Sequence, residues 1–68
     1  MEDAGQKLKR ERERLKLRYR DVEEISQKIA ERHKNDEFAI ALSRLADMEN
    51  KGTVPSIFRM YTLAAIYG

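Results

Sequence analysis

The chain has 68 residues, which is enough for a single domain spanning residues 1–68. It has no cysteine and one histidine, so its composition excludes disulfides, thiolate metal sites and sites built from several histidines. Lys and Arg number 14 against 12 Asp and Glu, a net charge of +2. Residues 1–20 hold eight basic and four acidic side chains, whereas residues 21–50 hold four basic and eight acidic. A basic N-terminal part and an acidic middle are therefore expected.

Other function classes are disfavoured by what the chain lacks. Its longest apolar stretch, from Phe38 to Leu42, is too short to cross a membrane. The charged N-terminus has no apolar core of a signal peptide, so a cytoplasmic location is the default expectation. No serine is placed near a base and an orienting group, so we expect neither catalysis nor a cofactor or small-molecule substrate.

Apolar residues at helical spacing predict a first helix over residues 4–15. Ala4, Leu8 and Leu15 share one face of it, and Arg12 falls on the same face. An unpaired charge would be costly there, so Arg12 is expected to have a partner inside the domain.

The second and third helices are separated by Asn35-Asp36. The second is predicted over residues 20–33, with Val22, Ile25 and Ile29 facing inward. Either Asn35 or Asp36 can cap a third helix over residues 37–50. The inward residues of that helix are expected to be Phe38, Ala41, Leu42, Leu45 and Met48.

A fourth helix is predicted over residues 56–67. Gly52 is suited to end the third helix in a left-handed conformation, and Ser56 is a good N-cap for the fourth. Its apolar stripe is expected to comprise Ile57, Met60, Tyr61, Ala64 and Tyr67. Four short helices and no strand pattern predict an all-α fold, a compact four-helix bundle.

Two stretches of the chain form a familiar combination. The first begins Gly5-Gln6-Lys7-Leu8, runs to Leu17 and continues with Arg20-Asp21-Val22 and Glu24. The second runs from Leu45 to Glu49-Asn50, followed by Pro55-Ser56 and a helix over residues 56–67. Together they resemble the helix-turn-helix DNA-binding domain of the Cro and phage-repressor family, the xenobiotic-response-element type.

The resemblance implies a repressor-like fold and sequence-specific binding of double-stranded DNA by a bacterial or phage transcription regulator. It also implies a homodimer that places two third helices in successive major grooves. Family members often link an arginine of helix one to a glutamate at the end of helix three, and Arg12 and Glu49 hold these positions.

DNA contacts can be carried over position by position from the family. The positions facing the bases are Leu42, Ser43 and Asp47, with Arg44 beside them. The positions facing phosphates are Arg18, Tyr19, Arg20, Lys51 and Thr53.

The sequence also departs from the family. It carries an insertion between the positions of Val22 and Leu45, within the acidic middle. The glycines usual after helices one and two are absent; Lys16 stands at the first position, and Asn35 is the nearest substitute at the second. Many relatives have a fifth helix beyond this length, so a fragment is an open possibility. These departures leave an alternative function, a protein-interaction module that retains the fold without binding DNA.

Overall fold

A computed structural model describes residues 3–68, and every regular element in this range is helical. The α-helices are α1 (Ala4–Arg14), α2 (Tyr19–His33), α3 (Leu42–Lys51) and α4 (Ile57–Tyr67). A 3₁₀ turn, Asp36–Phe38, lies between α2 and α3. The prediction of an all-α domain with four helices is confirmed for the described chain.

Polar side chains define several helix ends. The carboxylate of Asp3 accepts from the backbone N–H of Gln6 (2.8 Å) at the start of α1, a cap that the sequence analysis missed. The hydroxyl of Ser56 accepts from the N–H of Arg59 (3.3 Å) at the start of α4. Gly52 ends α3 with a left-handed φ of 68°. The predicted roles of Gly52 and Ser56 are thus confirmed.

The core draws on all four α-helices and on the connection between α2 and α3. Its buried centre consists of Val22, Ile40, Leu45, Met48 and Leu63. Partly buried side chains from α1, from the turn after it and from α4 complete it. Because Ile40 belongs to the connection between α2 and α3, this connection is part of the core rather than a surface loop.

The third helix begins later than predicted. Residues 37–41 were expected to be helical, but the 3₁₀ turn ends at Phe38, and Ala39 and Ala41 are extended. Asn35 caps the turn, accepting from the N–H of Glu37 (2.9 Å), and does not cap α3. The predicted inward positions of Ala41 and Leu42 are therefore wrong, and both residues are exposed.

The orientation of α4 also differs from the prediction. Thr62 and Leu63 are buried, while Ile57, Met60, Tyr61 and Ala64 of the predicted stripe are exposed. The physical reason is that α4 is apolar on nearly all faces. Periodicity can orient a helix only when one side is polar.

Two lysines occupy left-handed backbone positions. Lys16, where the family usually has glycine, has a φ of 58° in the turn after α1. The corresponding residue after α2 is Lys34, with a φ of 53°, and not Asn35 as expected. Both turns therefore keep the backbone shape that favours glycine without using glycine.

Candidate nucleic-acid interface

Helix α3 lies directly against α1 at Gly5. A Cβ atom at this position would lie 2.5 Å from the carbonyl oxygen of Glu49 and 2.7 Å from that of Met48. Real Cβ atoms do not approach backbone oxygens so closely, so Gly5 permits a contact between α1 and α3 that other residues would prevent. The glycine that opens the family-like stretch thus has a packing role here.

The pair expected from the resemblance, Arg12 and Glu49, joins the same two helices. Arg12 donates from Nε to Oε2 of Glu49 (2.8 Å) and from Nη2 to Oε1 (3.0 Å). Its Nη1 also donates to the carbonyl oxygen of Leu17 (2.9 Å). The two side chains are only 12% and 0% exposed, and the bond to Glu49 raises the pKa of Arg12. This two-point contact fixes α3 relative to α1.

Tyr19 belongs to the same network. Its hydroxyl donates to Oε1 of Glu49 (3.3 Å), and the guanidinium carbon of Arg12 lies 4.3 Å from its ring centroid. The hydroxyl and one ring face are therefore engaged inside the domain. A phosphate contact by Tyr19 stays a prediction, and it would compete with the bond to Glu49.

The outer face of α3 carries the residues predicted to read bases. Ser43 and Arg44 are exposed, and Asp47 pairs with Lys51 one turn later (Oδ1 to Nζ, 3.6 Å). Arg44, Asp47 and Thr53 also line a depression of about 60 Å³ beside the start of α4. The structure thus groups five of the predicted DNA contacts on α3 and the loop after it: Ser43, Arg44, Asp47, Lys51 and Thr53.

Arg18 and Arg20, the predicted phosphate contacts at the start of α2, are both exposed. Arg18 is bonded to Asp21, from its backbone N–H (2.8 Å) and from Nε (3.3 Å). These bonds lower the pKa of Asp21, and the side-chain bond raises the pKa of Arg18. A phosphate at Arg18 would therefore share its guanidinium with an acid. Arg20 is exposed beside it and does not bond to Asp21 in this way, so it is the stronger candidate.

Glu23 was not among the site residues predicted from the sequence, but it contacts the start of α3. Its Oε2 accepts from the backbone N–H of Leu42 (2.9 Å), which is the first residue of α3. A carboxylate is stabilised at a helix N-terminus, but it also places a negative charge at the end expected to enter the DNA groove. The bond spans 19 residues of sequence, so no local pattern could have identified it.

The connection between α2 and α3 is held from both sides. The hydroxyl of Ser26 accepts from the N–H of Ile40 (2.9 Å), and the hydroxyl of Thr62 donates to the carbonyl oxygen of Phe38 (2.6 Å). Arg59 donates from Nε to the carbonyl oxygen of Ala39 (3.1 Å). The connection is therefore packed into the domain, with Asp36 and Glu37 exposed on it.

No family model, curated protein or solved structure matches this chain. The described helices are all too short or too polar to span a membrane. Within residues 3–68, no three His, Cys, Asp or Glu side chains are grouped so that they could hold a metal ion.

Proposed function

We propose that this chain is a sequence-specific DNA-binding domain of a bacterial or phage transcription regulator, acting in the cytoplasm as a homodimer. The observation that carries the proposal is the way α3 is held. Arg12 and Glu49 lock its inner side, while Ser43 and Arg44 remain exposed on its outer side. A reading helix requires this combination, because base contacts depend on a rigidly positioned scaffold.

The chemistry of the outer face suits the major groove. Arg44 can donate two bonds to the edge of guanine, and Ser43 can bond to several bases. Asp47 can accept from the amino group of cytosine, and its pairing with Lys51 offsets its repulsion of phosphates. Sequence preference is expected to depend mainly on Arg44.

Phosphate contacts would position the domain on the duplex. Arg18 and Arg20 at the start of α2, with Tyr19 between them, and Lys51 and Thr53 after α3 are the proposed contacts. Each cation that neutralises a phosphate releases condensed counterions, so affinity should fall steeply with salt.

One observation favours a second function, a protein-interaction module. Glu23 lies at the N-terminus of α3, and the exposed Asp36 and Glu37 lie on the connection that precedes it. These acids would repel phosphates near the end of the reading helix and would suit a basic protein partner.

Titration of labelled duplex DNA with the full chain, followed by fluorescence anisotropy at low and moderate salt, tests the proposal. Wild type should bind, with affinity falling steeply as salt rises. The Arg18→Glu/Arg20→Glu double variant should lose binding. Lys28→Glu/Arg32→Glu makes the same charge change at two exposed positions in the C-terminal half of α2, and it should bind more tightly than the first double variant.

Base reading is tested separately, by comparing the affinity for a sequence selected from random duplexes with the affinity for unselected duplexes. Arg44→Ala should reduce the preference for that sequence by roughly 5- to 150-fold, because one bidentate base contact contributes about 1–3 kcal/mol of discrimination. Lys51→Ala should weaken binding to all duplexes similarly. Absence of binding at low salt by folded wild type would reject DNA binding and leave the interaction module.

A further inference from the structure

The outer face of α4 is largely exposed and predominantly apolar. Tyr61 is its one polar side chain, and its ring also contacts those of His33 and Phe38, with centroids 5.5 Å apart in each pair. Ile57, Met60 and Tyr61 are 76%, 54% and 52% exposed, and Ala64 and Ala65 beside them are also exposed. None of these five residues is charged. The helix has one charged residue, Arg59, which is partly buried and bonds to the carbonyl oxygen of Ala39. A helix that is apolar on all sides is normally buried on all sides.

An apolar groove continues this face towards α1. It has a volume of about 550 Å³, and Leu8, Leu63 and Tyr67 line it together with Met60 and Ala64 of the exposed face. Lys7, Glu11 and Arg14 of α1 also line the groove and carry charges of both signs. The face and the groove form one continuous surface, which we call the α4 surface. Monomeric proteins rarely expose such a patch unless it is a contact site.

We propose that the α4 surface binds a second copy of this chain, with the two α4 helices antiparallel across a two-fold axis. This deepens the proposed function, on which it rests for its biological use, by naming the surface that joins the two DNA-binding domains. Charged groups of a partner would lose their hydration at the centre of this face without gaining a counter-charge. A second α4 surface matches the face in length and in lack of charge.

The order of large and small residues fits this arrangement. In a two-fold interface, residue i of one copy contacts residue j of the other, and the reverse contact occurs as well. An axis between Met60 and Tyr61 sets Ile57 of each copy opposite Ala64 of the other, a large side chain facing a small one. It also sets Met60 opposite Tyr61, a favourable contact of a thioether with an aromatic ring.

The layout of the α4 surface also resembles that of an interface, with an apolar centre and charged groups around it. Three large side chains that are more than half exposed and two exposed alanines form the centre, beside the adjoining groove. The charged residues of α1 would lie at the rim, where polar groups occur in most interfaces.

Sedimentation velocity of the full chain, over concentrations from about 1 μM to 1 mM, tests the dimer. Wild type should form dimers, and Ile57→Glu and Met60→Glu should each raise the dissociation constant at least tenfold. Val54→Glu is the matched control, because Val54 is 84% exposed and lies outside α4. It should dimerise like wild type, and circular dichroism should show unchanged helix content in all three variants. A monomeric wild type, or unchanged dimers of Ile57→Glu, would overturn the proposal.

Disulfide cross-linking tests the antiparallel arrangement, since the chain has no cysteine of its own. A mixture of Ile57→Cys and Ala64→Cys should form mixed disulfides in higher yield than either variant alone, and Val54→Cys with Ala64→Cys should not. Equal yields from all mixtures would reject the antiparallel pairing.

The anisotropy assay separates this proposal from DNA binding. If wild type dimerised but bound no DNA, and Ile57→Glu were monomeric, the interface would be supported and the DNA function rejected.

Discussion

Two regions of the molecule position α3, and they do so by different means. The junction of α1 and α3 is joined by a nearly buried ion pair, Arg12–Glu49, and by a backbone contact at Gly5. The connection over residues 34–41 is joined to α2 and α4 by separate hydrogen bonds with the side chains of Ser26, Arg59 and Thr62. The junction concentrates its interactions at two side chains, whereas the connection distributes them.

This difference predicts different responses to mutation. Removing one partner of a buried ion pair leaves an uncompensated charge and destabilises a protein by about 3–5 kcal/mol. Removing one partner of a single hydrogen bond leaves one unsatisfied group, at about 1–3 kcal/mol. Loss of the ion pair should therefore destabilise the whole domain, whereas loss of one bond of the connection should mainly affect the residues around it.

The largest effect is expected for Glu49→Ala. It should lower the free energy of unfolding by about 3–5 kcal/mol, which is comparable with the whole stability of roughly 3–5 kcal/mol expected for a domain of this size. Urea unfolding followed by circular dichroism measures the change. Glu11→Ala is the control, because Glu11 pairs with Arg14 at the surface and its removal should change stability little.

The double variant Arg12→Met/Glu49→Leu sharpens this test. Replacing both charges with apolar side chains of similar size removes the desolvation penalty, so the double variant should be more stable than Glu49→Ala. If Glu49→Ala unfolded at the same urea concentration as wild type, the junction would not depend on its ion pair.

A smaller and local effect is expected for Ser26→Ala. The substitution leaves the buried N–H of Ile40 without its bond and should destabilise the domain by about 1–3 kcal/mol. Hydrogen exchange should quicken most at Ile40 and its neighbours, because the loss of this bond lowers the free energy needed to open the connection locally. Ser43→Ala, at an exposed serine, is the control. Faster exchange throughout α1 and α3 instead would contradict the separation of the two regions.

The contrast also explains which features could be predicted from the sequence. Gly52 and Ser56 act on neighbouring residues, so local patterns were sufficient to predict them. The pairing of Arg12 with Glu49 came from the family resemblance and from the cost of an unpaired charge on an apolar face. Each of these features has a signal in sequence spacing or residue type.

The remaining features depend on partners that are distant in the chain. Glu23, Ser26 and Thr62 make their bonds across 14 to 24 residues, and no periodic pattern encodes such a pairing. The late start of α3 follows from these bonds, because they hold residues 38–42 in a path that a helix over residues 37–50 could not follow. The exposed face of α4 was missed because an evenly apolar helix has no polar side to orient it.

The third effect concerns Tyr67, whose hydroxyl is buried and has no hydrogen-bond partner among the described residues. Tyr67→Phe removes this unsatisfied group and should raise stability at neutral pH by up to about 1 kcal/mol. Unfolding curves in urea at pH 7 measure the gain. A loss of stability instead would show that the hydroxyl makes a favourable interaction in solution.

The same variant should change the response to alkali. Burial, and then the charge of Glu49, raise the pKa of Tyr67 to about 12 from an ordinary value near 10. The phenol therefore ionises more readily in the unfolded chain than in the folded one. The free energy of unfolding should be unaffected by the ionisation of this group below pH 10 and should fall as the pH rises towards 12. Thermal unfolding across this range should be less sensitive to pH in Tyr67→Phe than in Tyr61→Phe, which alters an exposed phenol. Equal sensitivity would contradict the assignment to Tyr67.

The smallest effect is expected at the two residues that follow α1 and α2. Lys16 and Lys34 both have a left-handed backbone, which costs an ordinary residue about 1–2 kcal/mol. Glycine removes this strain but loses about 0.5–1 kcal/mol of chain entropy on folding, so Lys16→Gly and Lys34→Gly should each stabilise the domain by about 0.5 kcal/mol. Lys28→Gly, in the exposed interior of α2, should instead destabilise it by about 1 kcal/mol. If Lys16→Gly were stabilising and Lys34→Gly were not, the lysine side chain itself would help to hold the connection, and the bonds from Ser26, Arg59 and Thr62 would not be sufficient.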